Sequence, residues 1–146
     1  MPLLVSSDGT IGIKAGSKFA SFCLRNKGGK VKLQACKNNK ERFQWRTTKI
    51  ASGHHIASAF DDTCWEANVD EHGAKIALAT CDSGSMNQQF QFEYGNIMQA
   101  HSTEKFCVTL SKNMNLKMKR CVYNKFGAAE SGMDGMDGTE WVRVRM

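Results

Sequence analysis

The chain has 146 residues, 41% of them hydrophobic and 23% charged, the balance of one globular domain and not of a disordered chain. A single proline and 13 glycines exclude collagen-like or linker-rich material,. No apolar run approaches about 18 residues, so no membrane-spanning helix is expected. Twenty Lys+Arg against 14 Asp+Glu give a net charge of +6, which favours polyanionic partners without naming one.

In chain order, Met1–Ser7 shows no basic n-region, no long apolar stretch and no cleavage site,. The segment therefore reads as an added Met on a mature chain, or as export by another route. Asp8–Ile13 reads as a turn followed by an apolar strand. The turn residues Asn26-Lys27-Gly28-Gly29 precede Val31–Ala35, which alternates apolar and polar side chains as a half-buried strand does,. Trp45 follows in an aromatic strand, and either Ile50 or Ile56 is the counterpart of the apolar residue Ile11. Asp70–Gly73 then precedes the strand Ile76–Ala79, and Phe90 takes the place of Trp45. Tyr94-Gly95-Asn96-Ile97 repeats the look of Asp8–Ile11, Lys112-Asn113 precedes Leu116–Lys119, and Trp141–Val144 closes the series. No segment shows a helical period with caps.

The six cysteines mark the same rhythm. Cys23, Cys64 and Cys107 are spaced by 41 and 43 residues, and each has a partner candidate a short way downstream, at Cys36, Cys81 and Cys121. None forms C-x-x-C, so the pattern predicts three local disulfides in an oxidising compartment rather than a zinc ribbon. Six buried free thiols in a cytosolic protein are the alternative. With the unit repeated three times, the expected fold class is all-β. Three four-stranded repeats (about 14–56, 57–99 and 100–146, with an N-terminal strand 8–13) form a single domain, 1–146. Six strands close a barrel, three hairpins cap it, and the first strand closes against the last, which removes exposed edges.

These residues resemble the ricin B-type (R-type) lectin β-trefoil. The resemblance rests on the three Cys…Cys pairs, each followed by a Q-x-W-like motif: Phe43-Gln44-Trp45, Gln88-Gln89-Phe90 and Thr139-Glu140-Trp141. Arg42–Trp45, Thr80–Ser83 and Asn87–Phe90 look most like the cysteine-rich domain of the mannose receptor family. The resemblance implies that Trp45, Phe90 and Trp141 pack around a pseudo-threefold axis, each burying about 150–250 Å². It also implies a secreted, carbohydrate-binding protein. Its sites would place an acid two residues after the first cysteine, an aromatic platform two before the second, and an Asn before the motif Gln.

Carried over position by position, unit one holds Arg25, Gln34 and Arg42, a basic surface without the galactose-type set. Unit two holds Glu66, Ala79 and Asn87; unit three holds Thr109 and Lys119. Unit two therefore supplies the candidate carbohydrate-binding residues Glu66, Asn87 and Gln88, with His72 or Trp65 as the missing apolar face,. Trp65 reads first as core, and the Glu and Asn equally as caps of loop turns.

The basic residues of units one and three, among them Lys32, Lys117 and Lys119, suit sulfate or carboxylate groups on a glycan,. Partners are thus expected to be glycans or glycoproteins, sulfated polysaccharide included, with no nucleic acid and no membrane span. A protein-recognition trefoil, inhibitor or cytokine-like, and a heparin-type polyanion binder are the competing readings. Loop Val122–Gly138 is long for such a domain,. In it, Tyr123 and Phe126 are candidate stacking faces, and Asp134 and Asp137, with Glu140 just beyond it, a weak calcium set,. His54, His55, His72 and His101 stand in no catalytic frame, and no nucleophile elbow occurs,. No catalysis, cofactor or metal is therefore expected.

Overall fold

The computed structural model describes residues 11–15, 22–37, 40–50, 52–93, 96–110, 115–123, 129–130 and 141–145, with side chains for 22–37, 40–50, 52–93, 96–110 and 115–121. Strands β1 (Ile11–Ala15), β2 (Phe22–Lys27), β3 (Lys30–Ala35) and β4 (Trp45–Ile50) form the first unit. The second comprises β5 (Gly53–Ser58), β6 (Cys64–Glu66), β7 (Ala77–Ala79) and β8 (Phe90–Glu93). The third comprises β9 (Asn96–Gln99), β10 (Phe106–Leu110), β11 (Leu116–Arg120) and β14 (Trp141–Arg145), with β12 (Val122–Tyr123) and β13 (Ala129–Glu130) between the last two.

Six strands run side by side in the order β14-β1-β4-β5-β8-β9. Ile11 opposes Arg145 and Ala15 opposes Trp141, so the first and last strands pair as expected. The hairpins β2–β3, β6–β7 and β10–β11 cap this barrel, and the fold is a β-trefoil. In the first hairpin, Gly28 and Gly29 adopt φ of 58° and 81°, the left-handed pair that a two-residue connection between twisted strands requires. Ile56 is buried in β5 while Ile50 ends β4, and Ile56 stands two residues before the partner of Trp45 as Ile97 does before the partner of Phe90, so Ile56 is the counterpart.

The core follows the repeat. Trp45 and Phe90 are completely buried, and Trp65 lies between them, edge-on to each with ring centroids 5.5 and 5.9 Å apart. Trp65 is therefore core and offers no face to a ligand. The Trp45 indole N–H donates to the Leu24 carbonyl at 3.2 Å, whereas the Trp65 N–H has no acceptor. The side chain of Trp141 lies outside the described residues.

All three local disulfides form: Cys23–Cys36, Cys64–Cys81 and Cys107–Cys121. Adjacent units are also joined by buried polar contacts. The Asn26 amide donates to the Ser58 hydroxyl at 2.9 Å, and the Gln99 amide donates to the Ala67 carbonyl at 2.9 Å. Buried amides without such partners would cost about 1–3 kcal/mol each.

Val122 and Tyr123 pair with Glu130 and Ala129, so the segment expected as one loop begins with a short two-stranded stem. Phe126, Asp134, Asp137, Glu140 and the side chain of Tyr123 lie outside the described residues. So do the turns expected at Tyr94-Gly95 and Lys112-Asn113, and Asp8–Thr10.

Candidate functional site

Units one and two each reach their aromatic strand through one 3₁₀ turn, Glu41–Phe43 in unit one and Met86–Gln88 in unit two. The two turns are built alike. The Ala59 N–H donates to the Gln44 carbonyl and the Ala100 N–H to the Gln89 carbonyl, both at 3.0 Å. What they carry differs at the matching positions Arg42 and Asn87, and Phe43 and Gln88.

In unit two the side chains are turned to internal use. Gln88 is 2% exposed; its amide donates to the Thr80 carbonyl at 2.9 Å, and its oxygen accepts from the Asp82 N–H at 2.7 Å. The Asn87 side-chain oxygen accepts from the Val69 N–H at 3.1 Å, and its backbone carbonyl accepts from Ala67. Asn87 thereby lies beside the loop that follows Glu66. Glu66 is half-buried at the end of β6. His72 goes elsewhere: its ring meets the edge of Phe106 in unit three, centroids 6.4 Å apart.

In unit one the same architecture opens a cleft of about 970 Å³ between the β2–β3 hairpin and the 3₁₀ turn. Arg25, Lys37, Lys40 and Arg42 line it, with Glu41 as the acid among them. The Arg25 guanidinium donates to the Gln34 side-chain oxygen at 2.9 Å and stands 5.9 Å from the centre of the buried Phe43 ring. Arg42 lies over the Phe60 ring at 3.8 Å, and Phe60 is 44% exposed. A guanidinium held on an aromatic face keeps its N–H edge free for an anion.

Phe60 comes from unit two, and its place follows from Ser58. The Ser58 hydroxyl accepts from the Phe60 N–H at 3.2 Å, its carbonyl accepts from Asp62 at 2.8 Å, and its own N–H donates to Thr63 at 2.7 Å. Asp62 takes a positive φ of 59° to close the turn, a conformation that aspartate tolerates. Partial burial pushes the Asp61 carboxyl upward, but hydrogen bonds from Thr63, Asn26 and Ser58 outweigh it and hold the group below its ordinary value of 3.8,.

His55, buried on β5, lies against the second disulfide, its ring nitrogen within 4.8 Å of the sulfurs of Cys64 and Cys81. Both sulfurs are bonded to each other, so the three residues form packing and not a metal centre.

Residues 11–129 match the family model of the ricin-type beta-trefoil lectin domain. The chain belongs to that family. No curated protein sequence matches it significantly. Among solved structures it is similar to the designed threefold-symmetric protein ThreeFoil (TM-score 0.67, 17% identity, covering 95% of this chain and 100% of that one). It is also similar to the beta-trefoil lectin of the Vibrio vulnificus hemolysin/cytolysin, solved with N-acetyl-D-lactosamine bound (0.66, 13%, 93% of each chain). The agglutinin from Abrus precatorius is similar too (0.65, 16% identity, 92% of this chain). The chain spans 46% of that agglutinin's length. At these identities the structural likeness speaks for the fold alone.

Proposed function

We propose that this protein is a carbohydrate-binding lectin without catalysis, acting in an oxidising extracellular setting, and that its principal ligands are acidic or sulfated glycans held in the unit-one cleft. Membership of a lectin family and three disulfides support the general reading. The observation behind the anionic preference is the pair Arg42–Phe60. Arg42 covers one face of the ring, the part left exposed gives a sugar an apolar surface, and the guanidinium offers a sulfate or carboxylate two parallel N–H donors,. Arg25, Lys37 and Lys40 add charge around the same opening. Glu66 and Asn87 remain a second, smaller polar site in unit two, with Gln88 holding the loop beneath them.

A glycan array read with the intact protein tests this. Sulfated or uronate-bearing glycans should be retained over their neutral counterparts. Arg42→Ala should weaken binding by about tenfold to a hundredfold, the range of a charge-assisted contact of about 1.5–3 kcal/mol, and Phe60→Ala should weaken it as well. Retention of neutral galactosides alone, or full binding by both variants, would contradict the proposal.

A further inference from the structure

The three hairpins of the cap meet edge to edge, and each brings one pair of outward positions two residues apart. They are Lys30 and Lys32 on β3, Lys75 and Ala77 at β7, and Asn115 and Lys117 at β11. Their registers close into a ring. Lys30 opposes Ala77, Lys75 opposes Lys117, and Lys32 opposes Asn115. Opposed residues of antiparallel strands project to the same side. The intervening Val31, Ile76 and Leu116 are buried, so the ring positions face solvent. Four of these six positions are lysines, and among the described residues none of the four has a carboxylate within ion-pair distance.

The ring is continuous with the cleft. Arg25, which lines the cleft, stands directly opposite Lys32 on the same outward face. Because the ring closes, the segment at Lys75 neighbours both β11 and β3, two steps from β2, on the order of 10 Å at about 4.8 Å each,. Glu66 opposes Ala77 and sits on this face too, as a negative corner of the ring.

We propose that the ring extends the cleft, and that the protein binds a linear polyanionic glycan lying from Arg42 across Arg25 and Lys32 to Lys117 and Lys75. The proposal rests on the cleft reading for the starting point of the chain only. A nucleic acid would meet the same charges, but the uncharged outward positions in and beside the ring are Gln34, Ala77 and Asn115. Beyond Phe60 at the start of the path, none of these is an aromatic on which successive bases could stack,.

The test compares a sulfated disaccharide with a sulfated octasaccharide of the same repeat by titration calorimetry. The proteins are the intact chain, the double variant Lys75→Ala/Lys117→Ala, Arg42→Ala and Glu66→Gln, each checked for an unchanged melting temperature. The octasaccharide should bind at least about tenfold tighter than the disaccharide, as linked contacts do, and lose that advantage as salt rises. The double variant should erase the advantage and leave the disaccharide untouched, while Glu66→Gln should strengthen the octasaccharide a few-fold. An unchanged octasaccharide affinity in the double variant, or equal affinities for the two lengths, overturns the proposal. So does equal binding of a single-stranded oligonucleotide of matched charge. If the disaccharide fails to bind while the octasaccharide still depends on Lys75 and Lys117, the ring stands and the cleft reading falls alone.

Discussion

Units one and two share a backbone design and part company in what the 3₁₀ turn does with its side chains. In unit two, Gln88 and Asn87 direct their polar atoms inward, to Asp82, Thr80 and Val69. The loop is closed by its own hydrogen bonds. In unit one the matching residues are Phe43 and Arg42, which cannot make those bonds, and a cleft stands where the loop would close. Apolar filling below and a cation above leave donors facing out. In a repeated fold, then, the same position can close a loop on itself in one copy and line an open cleft in the next.

Breaking the disulfides is the strongest probe of this contrast. Cys23→Ala/Cys36→Ala and Cys64→Ala/Cys81→Ala should each cost about 2–5 kcal/mol in chemical denaturation. Anionic glycan binding should fall in the first, whose bridge joins the hairpin to the loop that walls the cleft, and persist in the second. Equal loss of binding at conditions where both fold would erase the distinction between units.

A smaller effect sharpens it. Gln88→Ala removes one donor and one acceptor from a buried site and leaves the Asp82 N–H and Thr80 carbonyl without that partner. Stability should fall by about 1–3 kcal/mol, while glycan affinity in the unit-one cleft stays the same. A loss of affinity without a loss of stability would return Gln88 to the ligand site.

The smallest effect concerns the turn that presents Phe60. The Asp61 carboxyl is held below 3.8 by its hydrogen bonds, so the folded state favours its ionised form. That contribution is fully present above the ordinary aspartate value and is lost as pH falls through the lowered folded one. Thermal melts between pH 2 and about 5 should therefore show a slightly shallower decline for Asp61→Asn than for the parent chain.

Much of the fold was legible because its signals are strong and repeated. The cysteine rhythm and the alternation in Val31–Ala35 and Leu116–Lys119 mark strands that must bury one face. The aromatic residues Trp45 and Phe90 mark the centre. The choice between Ile50 and Ile56 was not legible, since both are isoleucines near a turn; only pairing with β4 and β8 separates them.

The site was harder to read. Arg25 and Arg42 stood out as a basic departure from the galactose pattern, but Phe60 did not. It belongs to the next repeat and reaches the cleft only through the Ser58 turn. An exposed phenylalanine before Asp61-Asp62 was the available signal. Gln88 has a residue type that suits a sugar hydroxyl, and burial, which its sequence does not announce, places its polar atoms on the backbone of Thr80 and Asp82. His72 lies near Glu66 in sequence, yet its loop directs the ring to Phe106.

The most direct measurement is amide chemical-shift mapping with one disaccharide offered in sulfated and unsulfated form. The account predicts saturable shifts centred on Arg25, Arg42, Phe43 and Phe60 with the sulfated sugar and far weaker ones with the unsulfated. Shifts centred on Glu66 and Asn87, of equal size for both sugars, would contradict it.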